Sequence, residues 1–256
     1  MNWANRGKAS LIAGSIHLAV STAAAALAAA LVFLLWFPYP YQELTSGKEL
    51  FFLIVGVDIV CGPILTVILF NPQKTRREKF QDFGLVALIQ LAALFYGLHS
   101  ISQARPVYVV FEVDRFQVIT VADIQKENLH PKKGGLHILP LTGPRFIGTR
   151  QARNNQEYLE SLNLSLNGIA PSMRPDWWQP YESSKISVLE KSQGVGILRS
   201  KHASKDILID QAIKKSGLPE GDIAWLPLTS FLKKDWVIFI NKKTAEAVAF
   251  APIDGF

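Results

Sequence analysis

Three apolar stretches dominate the N-terminal part of the chain, at residues 10–37, 51–70 and 83–101. Each is about twenty residues or longer, enough for an α-helix to cross roughly 30 Å of hydrocarbon. From residue 102 onward, short apolar runs are separated by polar turns, as in a domain that folds in water. The pattern predicts a three-span transmembrane bundle at 1–101 and a soluble domain at 102–256.

Positive charges flank the spans unevenly, and segments rich in Lys and Arg stay in the cytoplasm. The N-terminus and the 71–82 segment carry most of these charges, whereas the 38–50 segment carries only Lys48. We therefore predict a cytoplasmic N-terminus and an exported C-terminal domain. A cleavable signal peptide is the alternative for the first span, but its apolar run continues through residues 31–37, beyond the usual length.

Asp58 stands well inside the second span, where a carboxylate costs about 3 kcal/mol unless it is paired or protonated. Counting helical rise from the outer end of the span, the nearest polar residue at its depth is Tyr96 on the third span. His99 and Arg105 are further candidates that would reach down from the interface. We interpret Asp58 and Tyr96 as an outer polar layer of the bundle.

A second polar layer is predicted nearer the cytoplasm, from His17, Thr66 and Gln90, one on each span. Hydrogen bonds between such side chains are worth about 1 kcal/mol each in membranes. Three interpretations stay open for both layers: fixing the register of the bundle, docking another helix, or handling a proton or ion.

Two further features of the spans concern backbone packing. Pro63 lies in the middle of the second span, where the missing N–H predicts a kink and a free carbonyl near Ile59. On the first span, Ser21, Ala25 and Ala29 recur every four residues. This spacing lets helices approach closely, either within the chain or with the transmembrane helix of a partner.

The soluble part is predicted to be an α+β domain with a mostly antiparallel sheet. One hairpin is predicted at 105–120 around Asp114–Arg115, and another at 235–251. A further strand is predicted at 223–228. Helices are predicted at 150–166 and 204–216, with a shorter one at 182–192.

Composition and motifs exclude several function classes. Residues 102–256 carry 20 Lys/Arg and 16 Asp/Glu, a balance of +4 that does not argue for nucleic-acid binding, and the single cysteine, Cys61, excludes an intrachain disulfide. No sequence motif of a hydrolase, metalloprotease or nucleotide-binding protein occurs. His130 and His137 are interpreted as loop histidines rather than metal ligands. We therefore predict no enzymatic activity, no metal and no cofactor.

An aromatic cluster occupies a predicted loop of the soluble domain at Trp177 and Trp178. Tryptophan is enriched both in cores and at the anchor points of protein interfaces. The cluster is therefore expected either to close the edge of the core or to contact a protein partner.

Four runs together carry a family resemblance: VDIVCGPILT at 57–66, FNPQK at 70–74, LIQLAALFYG at 88–97 and RPVYVVFEVDRF at 105–116. In this combination the chain resembles the TfpX/TfpZ family of type IV pilin accessory proteins, most closely over residues 10–125. The resemblance implies an inner-membrane protein with a periplasmic domain that helps a cognate pilin to be stabilised or assembled. Its implied partners are the transmembrane helix and periplasmic head of that pilin, together with membrane lipids.

The resemblance also implies that a pilin helix carries an acidic residue near its cytoplasmic end. By depth, that residue would face His17 and Gln90, whereas Asp58 would lie too far out. We therefore expect His17→Leu to weaken pilin binding and Asp58→Asn mainly to lower the abundance of the protein itself. The alternatives are a sensor with a periplasmic ligand domain and a membrane enzyme that uses Asp58.

Overall fold

The structure is a computed structural model that describes residues 3–125 and 139–256, so His130 and His137 lie outside the described residues. It divides the chain into two compact units. The first comprises Met1–Pro38 and Ser46–Ala104, and the second comprises Tyr39–Thr45 and Arg105–Phe256. The segment Tyr39–Thr45, which joins the first two apolar stretches, therefore belongs to the unit that follows residue 104.

The first four helices are α1 (Trp3–Ala30), the short α2 (Tyr41–Leu44), α3 (Gly47–Leu69) and α4 (Arg76–Ala104). A π-helical segment, Leu31–Trp36, extends α1. Three helices are long and apolar enough to cross a membrane: Gly7–Trp36, Gly47–Leu69 and Arg76–Ala104. The three predicted spans are thus matched by three candidate membrane helices, as judged by length and composition.

The helix α4 begins seven residues before the predicted span, at Arg76 rather than at residue 83. A reciprocal cap explains this early start. The backbone N–H of Thr75 donates to Glu78 Oε2 over 2.7 Å, and the N–H of Glu78 donates to Thr75 Oγ1 over 3.3 Å. The hydropathy pattern marks only the apolar part of this helix, so it places the start too late.

The second unit is built on one eight-stranded sheet in the order β4-β3-β1-β2-β6-β7-β8, with β5 paired to β6. Its strands are β1 (Pro106–Glu112), β2 (Arg115–Thr120), β3 (Arg145–Thr149), β4 (Trp178–Pro180), β5 (Gln193–Gly194), β6 (Ile223–Thr229), β7 (Trp236–Asn241) and β8 (Ala247–Ala251). Both predicted hairpins form, β1 with β2 and β7 with β8. The sheet is mixed, however, and the prediction of a mostly antiparallel sheet is wrong. The reason is that β3 runs parallel to β1, and β6 runs parallel to β2.

Four helices complete this unit: α5 (Asn155–Leu166), α6 (Lys185–Lys191), α7 (Val195–Lys201) and α8 (Asp206–Ser216). Side chains on both faces of the sheet are buried, and β1 and β6 are therefore apolar almost throughout. On one face, Val195, Leu198 and Ile209 from α7 and α8 pack against Trp225 and Phe239. Successive side chains of β1 point to opposite faces, and Val109 and Phe111 belong to the core on the other face of the sheet.

The short helix α2 also packs into this sheet. Tyr41 and Leu44 belong to the same buried cluster as Val109, Phe111 and Leu228. The Ser230 hydroxyl donates a 2.5 Å hydrogen bond to the Leu44 carbonyl. The segment between the first two spans is therefore part of the core of the second unit.

The helix α5 is attached to the unit through its polar side. Arg150 makes a two-point ion pair with Glu157, with N–O distances of 3.0 and 2.7 Å, and Arg174 donates to Ser161. The Arg150 guanidinium, with the backbone N–H of Arg153, holds the pKa of Glu157 at about 2. This carboxylate is therefore charged at any physiological pH, and Leu159 and Leu162 on the same helix face outward.

Candidate functional site

The predicted inner polar layer forms a hydrogen-bonded site between three helices of the first unit. His17 on α1 lies with Nδ1 2.6 Å from Thr66 Oγ1 on α3 and with Nε2 2.6 Å from Gln90 Oε1 on α4. Gln90 Nε2 donates a further 3.2 Å bond to the Asp58 carbonyl oxygen. All three predicted side chains therefore meet, and Gln90 links them to the backbone at Asp58.

Matching donors to acceptors indicates which nitrogen of the neutral His17 ring carries the hydrogen. Gln90 must direct its amide nitrogen toward the Asp58 carbonyl, since that carbonyl can only accept. Gln90 Oε1 consequently faces His17, so His17 Nε2 carries a hydrogen and donates it. In the neutral ring, Nδ1 then accepts from the Thr66 hydroxyl. Both ring nitrogens of His17 are therefore used by bonds within the chain.

Gly62 makes room for Gln90 at this site. A Cβ at position 62 would lie 2.0 Å from Gln90 Nε2 and 2.6 Å from Gln90 Cδ. The absence of a side chain lets the amide reach the backbone of α3. The sequence Gly62-Pro63 thus has a packing role at the glycine in addition to the kink predicted at the proline. Pro63 lies within α3, one residue beyond Gly62.

A cavity of about 240 Å³ adjoins the polar site. Polar groups of His17, Gln90 and Asp58 line it, together with small and apolar side chains: Val20, Ser21, Ala24, Ala25, Val55, Ala87, Leu91 and Leu94. The small residues Ser21 and Ala25, selected from the sequence for their spacing, both face this space. The site thus combines a closely packed small-residue surface with a polar centre.

Asp58 differs from the other polar residues because its carboxylate has no hydrogen-bond or ion-pair partner among the residues that the structure describes. Its backbone carbonyl accepts from Gln90, and Asp58 is one of the residues that line the cavity. The predicted pairing with Tyr96 is wrong, since the Tyr96 side chain is 76% exposed and does not line the cavity. The two predicted layers are joined through the backbone carbonyl of Asp58, which accepts from Gln90 Nε2.

Trp177 and Trp178 are packed inside the second unit. Trp177 is only 6% exposed and lies between the guanidinium groups of Arg150 and Arg174, each 4.5 Å from the ring centroid. Trp178 is 7% exposed, and its indole N–H donates to the Ser172 carbonyl over 2.8 Å. This burial favours closure of the core over contact with a partner. Trp177 and Trp178 are therefore not available as exposed anchors.

Within the described residues, no group of three or more His, Cys, Asp or Glu side chains is placed to hold a metal ion. Cys61 lies on α3 as a free thiol.

Comparison with known proteins shows which family the chain resembles. The family model described as "Fimbrial assembly protein FimB" matches residues 1–46. The chain is 36% identical over 243 residues to the fimbrial assembly protein of serogroup I from Dichelobacter nodosus, which covers 94% of each chain. It is 34% identical over 242 residues to the serogroup E1 protein of the same organism, again covering 94% of each.

A third relative is the fimbrial assembly protein of serogroups C1 and C2 from the same organism. It is 48% identical over 114 residues, covering 44% of this chain and 87% of the relative. No solved structure matches the chain. Identity of 34–36% over nearly the full length of two relatives leads to one conclusion: the chain belongs to the fimbrial assembly protein family.

Proposed function

We propose that this protein is a non-enzymatic accessory of pilus biogenesis that binds a cognate type IV pilin in the membrane and keeps it stable until assembly. The family supports a role in fimbrial biogenesis. The observation that carries the proposal is the unpaired carboxylate of Asp58, a residue that lines a cavity between three candidate membrane helices. The resemblance to the TfpX/TfpZ family supports the more specific assignment to a type IV pilin.

The proposed topology has the N-terminus in the cytoplasm and the second unit in the periplasm, across the bacterial inner membrane. The burial of Tyr41 and Leu44 in the core of the second unit supports it. The segment that contains them joins the first and second spans, so it must lie on the same side of the membrane as the domain after the third span. The positive charges of the N-terminus and of the 71–82 segment then favour the periplasm as that side.

The geometry favours a division of roles opposite to the one expected from depth. Both ring nitrogens of His17 are hydrogen-bonded within the chain, to Thr66 and to Gln90, so His17 is suited to hold the three helices together. The Asp58 carboxylate has no partner among the described residues, so it is available to a group outside the chain. We propose that a hydrogen-bond donor of the pilin transmembrane helix enters the cavity and pairs with Asp58, which removes the cost of a lone intramembrane carboxylate.

The two roles predict different results for two substitutions. Asp58→Asn keeps the shape of the side chain but removes its charge, so pilin recovered with the protein should fall about tenfold, equivalent to about 1.4 kcal/mol. The amount of the protein itself should stay near the wild-type level, because no bond within the chain is lost. Co-purification with the pilin from detergent extracts of piliated cells, normalised to the amount of tagged protein, measures both quantities.

His17→Leu is the matched comparison. It removes two hydrogen bonds inside the chain, so it should lower the amount of protein in the membrane while pilin recovered per molecule changes little. An Asp58→Asn variant that is less abundant but still binds the pilin would contradict the proposed roles. It would favour the roles expected from depth, in which His17 faces the pilin and Asp58 stabilises the protein itself.

Two other functions make different demands on the same site. A membrane enzyme that uses Asp58 would turn over a substrate. The substitution Asp58→Asn would then abolish turnover whether or not a pilin is present. A sensor would change its periplasmic domain on binding a small ligand and would need a cytoplasmic partner for output. The accessory role, unlike both, requires stable capture of the pilin through the cavity.

A further inference from the structure

The loop between β6 and β7 contains two large apolar residues followed in sequence by two lysines. Phe231 is 75% exposed and Leu232 is 56% exposed, and Lys233 and Lys234 follow directly. Neither lysine ammonium group has a hydrogen-bond or ion-pair partner in the part of the chain that the structure describes. An exposed apolar pair beside unpaired cations is the composition of a segment that enters a membrane interface.

This loop is held in one conformation by the residue before it. The backbone N–H groups of Leu232 and Lys233 donate to Ser230 Oγ, over 3.2 and 2.9 Å. The N–H of Ser230 donates to the Lys233 carbonyl over 2.7 Å. The turn is therefore closed by hydrogen bonds around Ser230, with Phe231 exposed at its tip.

The position of the loop is set by its bond to the segment between the first two spans. The same Ser230 hydroxyl donates to the Leu44 carbonyl over 2.5 Å. Leu44 lies three residues before Gly47, where α3 and the second candidate span begin. Three residues of extended chain reach at most about 10 Å, so chain connectivity keeps the loop near the start of that span.

Other exposed groups surround the loop with the same character. A surface cavity of about 510 Å³ is lined by Phe231 and Lys234 together with Val113, Arg115 and Phe256. Val113 and Phe256 are themselves largely exposed, and the Arg115 guanidinium lies 4.6 Å from the Phe256 ring centroid. Two carboxylates, Glu112 and Asp114, also line the cavity, and Asp114 is paired with Arg115.

From these observations we infer that the loop Phe231–Lys234 is a membrane-contact element of the second unit. Phe231 and Leu232 enter the boundary between headgroups and acyl chains, and Lys233 and Lys234 bind the phosphates of anionic lipids. The occupant is the phospholipid bilayer itself, because chain connectivity places the loop near it and the charges complement its headgroups. This role depends on membrane anchoring alone and is independent of the pilin.

The test uses the full-length protein in nanodiscs of phosphatidylcholine and phosphatidylglycerol. A nitroxide label is attached to Phe231→Cys in a Cys61→Ser background, and its collision rates with oxygen and with a water-soluble nickel complex are compared. The label should report a depth of about 5–10 Å below the headgroup boundary. The matched control is Ile207→Cys on α8, since Ile207 is 72% exposed but is not part of the loop; its label should report water.

A second pair of measurements separates lipid from protein contact. With Lys233 and Lys234 both changed to Gln, the label at 231 should become shallower, and in discs of phosphatidylcholine alone the two proteins should behave alike. A label at 231 that is as accessible to the nickel complex as the label at 207 would overturn the inference. Protection at 231 that arises only when pilin is added would also overturn it, and would make the loop a protein-contact site.

Discussion

Replacing Gly62 with Ala should disrupt the polar site of the membrane helices. The added Cβ would lie 2.0 Å from Gln90 Nε2, and the amide cannot move away without losing its bonds to His17 and to the Asp58 carbonyl. At about 1 kcal/mol for each bond, the substitution should destabilise the membrane helices by about 2 kcal/mol. The thermal midpoint of the detergent-solubilised protein, followed by size-exclusion chromatography after heating, measures the loss.

The same helix supplies the control. Gly56 has no atom within 4 Å of the position that a Cβ would take, so Gly56→Ala should leave the midpoint unchanged or raise it slightly. A double-mutant cycle adds a second check. If the clash with Gln90 is the cause, Gly62→Ala combined with Gln90→Ala should be no less stable than Gln90→Ala alone. Equal midpoints for the two glycine variants would refute the close approach of Gln90.

The second large effect is expected from Leu44→Ala. Leu44 is fully buried in the core that it shares with Val109, Phe111 and Leu228, although it belongs to the segment between the first two spans. Truncating a buried leucine leaves a cavity and costs about 2–5 kcal/mol. The second unit should therefore unfold at a lower denaturant concentration, as measured by protease cleavage of the reconstituted full-length protein.

Ile207→Ala is the control for this substitution, because Ile207 is 72% exposed and should contribute less than about 0.5 kcal/mol. A Leu44→Ala protein as resistant as the Ile207→Ala protein would show that the segment is not part of the core. The argument that the segment and the C-terminal domain share one side of the membrane would then lose its support.

The sequence predicts best what depends on local patterns. Length and hydropathy locate the three candidate spans, and their depth brings His17, Thr66 and Gln90 together, because helical rise converts sequence position into height. The hairpins β1–β2 and β7–β8 follow from alternation and short turns. The first turn is at Val113–Asp114, one residue earlier than predicted, since Glu112 pairs with Arg115.

What the sequence does not predict depends on contacts between distant residues. Leu44 and Ser230 are separated by 186 positions, and the four-residue helix α2 carries too short a pattern to reveal its burial. The strand β3 was missed because Gly148 interrupts it, although the glycine is required where the Ser184 side chain packs against the strand. Its parallel pairing with β1 is what makes the sheet mixed.

The role of Asp58 shows the same limit within the membrane helices. Depth alone assigned its carboxylate to Tyr96 and set it apart from His17. A helical position also has a direction, which determines whether a side chain meets a neighbour or a cavity. Asp58 lines the cavity and Tyr96 faces outward, and Gln90 joins the two levels through the backbone carbonyl of Asp58.

The proposed binding of a pilin helix in the cavity has one direct test, which is site-specific photo-crosslinking from α4 in piliated cells. A photoreactive amino acid replaces either Leu94, which lines the cavity, or Ile89, which is exposed on the same helix and does not line it. The account predicts a pilin adduct from position 94, a far weaker one from position 89, and loss of the first in the Asp58→Asn background. Equal adducts from both positions, or an adduct from 94 that does not depend on Asp58, would contradict it.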